Sequence, residues 1–452
     1  MKKLLSLILC AVMLLGLVAC GGTAAPEATN PPAEKTEAET PKEDVAVAEP
    51  SKFEVTDPIT IEFWSNYGEE PKQKWLMNAV EEFNASQDKI TVEMKTIVDY
   101  GPMNEQLSAA QAAGKGLPGL AFINCPRVLT YAANGMTEPL NEYIEAFGFE
   151  LDDFNAGMMD AMKPTGSDSF YGVPWGISSA VVYWNKDMLT ECGIDKVPET
   201  WEEMRAASKI IKEKKGLKTI GMVSELNYVE VMMRNAGADP LGDGQTADMF
   251  NDHVVSFVKE FKEMIDAGEA EFFVGADQVT NLTTAFYSEQ IACIYHTSAI
   301  VTSVSSKSDF EVVTSFGLEN VADPCISCVA GAAAIIPAAN DQQVKNAAFE
   351  FLMFLTSKEN VAGWSAAGNV YPTRNSVMGN EEFLKEIYEY EPLLENIYNG
   401  LGGVVSKNKT PYQTAAYKIL LNAMGEYFYN GADFDAVWGN AEKEINYILA
   451  GG

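Results

Sequence analysis

The residue types that could carry chemistry in this chain are few and scattered. Cys325-Ile-Ser-Cys328 has the spacing of a redox dithiol or of half a zinc site, but no second Cys-x-x-Cys exists, and neither histidine, His253 or His296, lies near it in sequence. The segment that follows, Val329-Ala-Gly-Ala-Ala-Ala-Ile-Ile336, has the composition of a buried strand, so the pair is expected to be structural, as a dithiol or a local disulfide. With Cys125, Cys192 and Cys293 the count beyond the N-terminal segment is five, and an odd number in a long chain argues against a disulfide framework. No metal site and no cofactor are expected. Gly-x-Ser-x-Gly, His-Glu-x-x-His, Walker and dinucleotide patterns are absent. Catalytic carboxylates cannot be singled out among 64 acidic residues, where some pair always falls close. These features point away from an enzyme.

Charge narrows the partners. The formal net charge of −32 becomes −29 once residues 1–50, with four Lys and seven acidic residues, are set aside. Such a surface repels nucleic acid and anionic lipid headgroups, so no nucleic-acid partner is expected. The four arginines, Arg127, Arg205, Arg234 and Arg374, matter individually in this setting. At the N-terminus, Lys2 and Lys3 precede an apolar run over residues 4–19, the layout of a signal peptide and too short to span a bilayer, which takes ~20 apolar residues. Leu17-Val18-Ala19-Cys20 resembles the lipobox of bacterial lipoproteins, which implies that Cys20 receives a diacylglycerol and anchors the mature chain to a membrane face. Residues 20–56, with Pro26, Pro31, Pro32, Pro41 and Pro50 and no apolar period, read as a flexible spacer.

The elements that must position any site begin after that spacer. Ile59-Thr-Ile-Glu-Phe-Trp64, Ile90-Thr-Val-Glu-Met94 and Leu120-Ala-Phe-Ile123 read as strands separated by helices over 71–83 and 103–113, and a third helix follows over 126–134. The same alternation returns with Ala180-Val-Val-Tyr183, a helix over 201–215, Thr219-Ile-Gly-Met222 and a helix over 228–236. Thr200 and Glu203 form a capping-box pattern, and Gly216 stops the helix they start. A long helix is predicted over 342–357, and residues 380–449 are nearly all helical in pattern. Strands alternating with helices predict an α/β fold with parallel sheets.

Eight segments carry a family resemblance: Ile61-Glu-Phe-Trp-Ser-Asn-Tyr-Gly68, Ala112-Ala-Gly-Lys-Gly116, Tyr131-Ala-Ala-Asn-Gly135 with Glu138-Pro-Leu140, Tyr171-Gly-Val-Pro174, Tyr183-Trp-Asn-Lys-Asp-Met188, Pro198-Glu-Thr-Trp-Glu-Glu203, Phe351-Leu-Met-Phe-Leu-Thr-Ser357 and Gly368-Asn-Val-Tyr-Pro-Thr-Arg374. Their order and spacing resemble the family 1 extracellular solute-binding proteins of ABC transporters, the carbohydrate type. The resemblance implies a two-lobe, type II periplasmic-binding-protein-like fold. Lobe one is expected at 57–177 and 328–368, and lobe two at 178–327 and 369–452. It also implies a monomer tethered at the extracellular face, more in keeping with a Gram-positive cell, that hands its ligand to two membrane subunits and their ATPase. By position it places Asn66, Tyr67, Glu69, Asn124, Arg127, Trp175, Ser178, Glu225, Tyr228, His296, Ser298, Gly331, Tyr371 and Arg374 around the interlobe cleft. Flat aromatic faces and planar polar groups of this kind suit a sugar. Arg127 and Arg374 could pair with a phosphate, but Glu69 and Glu225 in the same expected cleft repel a dianion. A neutral mono- or oligosaccharide is therefore the expected ligand, with glycerol 3-phosphate or another polyol phosphate as the alternative and a glycoside-active enzyme behind both.

Overall fold

The computed structural model describes residues 51–451 apart from 243, 245, 323, 324, 408 and 411. The signal segment, Cys20 and the spacer as far as residue 50 lie outside the described residues. Residues 51–56 correct the expected end of that spacer. Phe53 sets its ring 5.0 Å from that of Tyr143, Val55 is buried, and the Thr56 amide donates to Gln343 at 2.9 Å. Apolar burial at Phe53 and Val55 offsets the entropy of ordering residues 51–56.

In chain order the strands are β1 (Ile59–Ser65), β2 (Ile90–Thr96), β3 (Leu120–Asn124), β4 (Val173–Ser178), β5 (Ala180–Asn185) and β6 (Lys218–Val223). There follow β7 (Ala270–Phe273), β8 (Ile291–Thr297), β9 (Val312–Ser315), β10 (Ser327–Cys328), β11 (Ala330–Ile335) and β12 (Val404–Val405). The first sheet has the order β2-β1-β3-β11-β4, the second β7-β6-β8-β5-β9, and β10 pairs with β12. Each large sheet has three parallel strands, then one antiparallel strand, then a fifth antiparallel to that one. The two halves therefore share one plan, although no repeat is visible in the sequence. Both are sheets flanked by helices, the two-lobe periplasmic-binding-protein architecture.

Local chemistry explains the elements. Every residue of Leu120-Ala-Phe-Ile123 is buried, as a strand covered on both faces requires. The helix Lys72–Ser86 turns Leu76, Ala79, Val80 and Phe83 inward at helical spacing. At Trp201–Lys215 the capping box is present as read, with the Thr200 hydroxyl accepting from the Glu203 amide, and Gly216 ends the helix at φ 72.

The C-terminal quarter departs from the sequence pattern. Helices Glu381–Tyr390, Leu393–Asn399, Gln413–Tyr429 and Phe434–Leu449 form as expected, but residues 400–407 interrupt them and run, with 409 and 410, as a strap that includes β12. Nor does residue 369 begin the second half. Tyr371 donates its amide to Ile177, Arg374 pairs with Asp153, and Val377 packs with Val361 and Ala362, so this segment docks on the first half. Between β4 and β5 the chain passes from one sheet to the other through Ser179 alone. There the Tyr371 hydroxyl lies 2.8 Å from Ser179 Oγ.

Candidate functional site

Strand ends bring polar groups of both sheets to the junction. From the first sheet come Asn66 and Tyr67 after β1, and Asn124 with Cys125 at the end of β3. Tyr67 presents its ring edge-on to Trp364 at 5.0 Å, and its hydroxyl lies so close to Gly176 that a Cβ there would stand 2.3 Å away. Burial pushes the Tyr67 hydroxyl well above its ordinary pKa, and the neighbouring Tyr100 and Cys125 add to the shift. Burial likewise pushes the Cys125 thiol up to about 12, against the pull of Lys407. A thiol so placed is neutral and inert at physiological pH.

From the second sheet come Glu225 after β6, Tyr228 one turn on, and His296 near the end of β8. Burial raises the Glu225 carboxyl above its usual range, while Gln278 and Lys407 draw it back. The His296 ring accepts the Thr297 amide at Nδ1, 2.8 Å away, and lies 3.5 Å from the Tyr228 hydroxyl through the same atom. The ring proton therefore sits on Nε2, which is buried with no hydrogen-bond partner among the described residues. Burial lowers the His296 pKa to about 4, so the ring is neutral at pH 7.

Lys407, on the strap, joins these two sets and is the residue that sequence reasoning missed. It is 8% exposed, donates to Asn227 Oδ1, and is felt electrostatically by Cys125, Cys328 and Glu225. The strap is held to the first half as well, because Ser406 Oγ donates to Asp160 at 2.6 Å and Lys409 pairs with the same carboxylate at 2.6 Å. Beneath it lies a cavity of about 20 Å³, lined by Cys125, Pro126, Leu129, Ala161, Val329, Lys407 and Lys409, with room for about one water. The missing signal was weak: residues 400–412 lack a helical period, yet lie inside a stretch that otherwise shows one.

Several expected cleft residues have other work. Trp175 is 1% exposed, stacked between Phe122 at 5.4 Å and Trp364 at 5.3 Å, and is core. Arg374 points away from the junction: its guanidinium donates to Thr356 O, Glu150 and Asp153 and covers the Phe154 ring at 4.7 Å. Ser178, Ser298 and Tyr371 tie the crossing together, accepting from Thr297 Oγ1, from the Ser179 amide and sharing a proton with Ser179 Oγ, respectively. Gly331 holds φ 96, and a Cβ there would meet the Gly176 carbonyl at 2.0 Å, so it serves the close pairing of β11 with β4. Glu69 and Arg127 are exposed. Cys325 and Cys328 are buried free thiols, and no metal-binding cluster is found among the described residues.

Two α/β halves meet at this junction, and a family model for bacterial extracellular solute-binding proteins matches residues 78–387. The chain belongs to that family. This solute-binding protein spans 45% of the length of the curated relatives it matches first. It is similar to an arabinooligosaccharide-binding protein of Halalkalibacterium halodurans, 28% identical over 145 residues, 31% of either chain. It also resembles the sn-glycerol-3-phosphate-binding periplasmic protein of Pectobacterium atrosepticum, 22% identical over 325 residues, covering 67% of this chain and 71% of that one. Among solved structures, the cyclic alpha-maltosyl-1,6-maltose binding protein of Arthrobacter globiformis superposes with a TM-score of 0.76 at 20% identity, over 87% of this chain and 100% of the other. The family acts outside the cytoplasm.

Proposed function

We propose that this solute-binding protein captures a mono- or oligosaccharide at the junction of its two sheet-centred halves and delivers it unchanged to an ABC permease. What supports this reading is a mixed set of donors and acceptors beside aromatic rings: Glu225, Asn227, Tyr228 and His296 of the second half with Lys407, and Tyr67 of the first half, linked to Lys407 through Cys125. Open α/β sheets bind ligands at such strand ends. The sugar-binding proteins it resembles support the same class. The two halves serve as lobes, and ligand favours the closed form of an open–closed equilibrium that the permease reads. Calorimetry against a panel of mono- and oligosaccharides tests this. Heat from at least one sugar is expected, and binding of peptides or amino acids with no heat from any sugar overturns it. A chromogenic glycoside assay is expected to show no turnover.

A polyol phosphate is the second reading, favoured by the likeness to a glycerol-3-phosphate-binding protein over 67% of the chain. The chain is further proposed to be a monomer, cleaved before Cys20 and lipid-anchored there, with residues 21–50 as the tether. Two buried acyl chains, at about 0.8 kcal/mol per CH₂, hold such a chain stably at a membrane face. Cys20→Ala is expected to release the protein from the membrane fraction or to block its processing. Normal processing with full membrane retention would count against Cys20 as the lipid site.

A further inference from the structure

We infer that Lys407 reads an anionic group on the ligand, either the carboxylate of an acidic sugar or the phosphate of a polyol ester. This rests on the junction being the ligand site and goes beyond it by assigning the ligand's charge.

The protein treats its other deeply placed cations differently. Arg234 pairs with Glu230 and Asp239, Lys345 with Glu138, Arg374 with Glu150 and Asp153, and Lys409 with Asp160. Lys407 is 8% exposed, and among the described residues no carboxylate lies within ion-pair distance of it. Among the described residues its one hydrogen-bond partner is a neutral amide, Asn227, while an ammonium has three N–H groups to donate. Burying a charge without a counter-ion is costly. In a chain with 64 acidic residues a carboxylate partner would be easy to supply, and the first half supplies one, Asp160, to Lys409 two residues on.

The surroundings fit a ligand group better than a structural one. Lys407 lines the small cavity beside Pro126, Leu129, Ala161 and Val329, whose apolar walls strengthen any charge pair formed there. The Cys125 thiol lines the same cavity as the ammonium, and Cys125, Cys328 and Glu225 all feel its charge. Both thiols are neutral. Glu225 feels the Lys407 charge, and Asp160 meets the strap on either side of it through Ser406 and Lys409, so both limit how much negative charge the ligand can bring. The cavity has room for about one water, the size of a single carboxylate or phosphate oxygen.

The test is a set of matched pairs measured by calorimetry on the mature chain: glucuronate with glucose, galacturonate with galactose, digalacturonate with maltose, and glycerol 3-phosphate with glycerol. At least one anionic member is expected to bind 10-fold or more tighter than its neutral partner, and Lys407→Gln should shrink that gap below 3-fold. The pair that shows the gap separates carboxylate from phosphate. Should Lys407→Gln fail to fold by thermal melt, Glu225→Gln carries the same test, with the ratio of anionic to neutral affinity expected to widen. Neutral members binding as tightly as anionic ones, or a gap that survives Lys407→Gln, overturns the inference while leaving the binding reading intact. No heat from any pair or from the wider sugar panel overturns the binding reading itself.

Discussion

Among the described residues two cations are buried almost completely, and they sit in opposite circumstances. Arg374, on the first half, is saturated by a backbone carbonyl, two carboxylates and an aromatic face. Lys407, at the junction, has one neutral amide. The same cost of removing charge from water is met in the first region by the protein itself, while in the second it is met only in part. Saturation marks a group that holds the fold. Incomplete satisfaction at a junction of two halves marks a group that waits on something else, and the unpartnered His296 Nε2 nearby belongs to the same pattern.

The largest effect that could break this comparison is on stability. Arg374→Met is expected to lower unfolding free energy by about 3 kcal/mol, the low end for a broken buried pair because Glu150 stays solvated. Lys407→Met should change it by less than about 1 kcal/mol, or raise it, since an unpaired buried charge is replaced by an apolar chain of similar size. Urea unfolding of both variants measures this, and equal losses would erase the distinction.

Acid separates the two regions next. His296 has a folded pKa of about 4 against 6.5, so its contribution is complete above pH 6.5 and is lost as pH falls from there toward 4, about 3 kcal/mol in all. At the other region, the Ser376 hydroxyl and Arg374 hold the Asp153 carboxyl below its usual range despite its burial. That contribution persists above pH 3.8 and fails only below it. Melting temperature against pH should therefore fall first through the junction, and His296→Gln should flatten the limb between pH 6.5 and 4 while leaving the lower limb in place.

Smaller still is the crossing, which uses neutral hydrogen bonds. Tyr371→Phe removes the contact with Ser179 and should cost about 1 kcal/mol with no change in pH profile. A loss as large as that of Arg374→Met would mean that the crossing, and not the charged clusters, sets stability.

Local features were the legible ones. Strand alternation at β1 and β2, the helical face of Leu76, Ala79, Val80 and Phe83, and the capping box at Thr200 and Glu203 follow from residues within a few positions of each other. What escaped depends on distance along the chain. Trp175 has the composition of a sugar platform, but its stacking partners Phe122 and Trp364 come from the far ends of the first half. Arg374 looks free in sequence because its carboxylates lie more than 200 positions earlier, the Asp153 contact spanning 221 residues. Lys407 was passed over because one short irregular strap lies between long helices.

The strand order has a consequence for synthesis. The first sheet needs β11 between β3 and β4, yet β11 is made only after all five strands of the second sheet. A nascent chain that ends before residue 330 carries β3 and β4 without the strand that joins them, and the edge of β3 stays open. The second half, contiguous from β5 to β9, can close first, so the half that starts the chain is the later one to finish. Long-range closure of this kind is slow. The N-terminal half thus keeps an open β3 edge while most of the polypeptide is made, a surface that must be kept from pairing with another chain until β11 arrives.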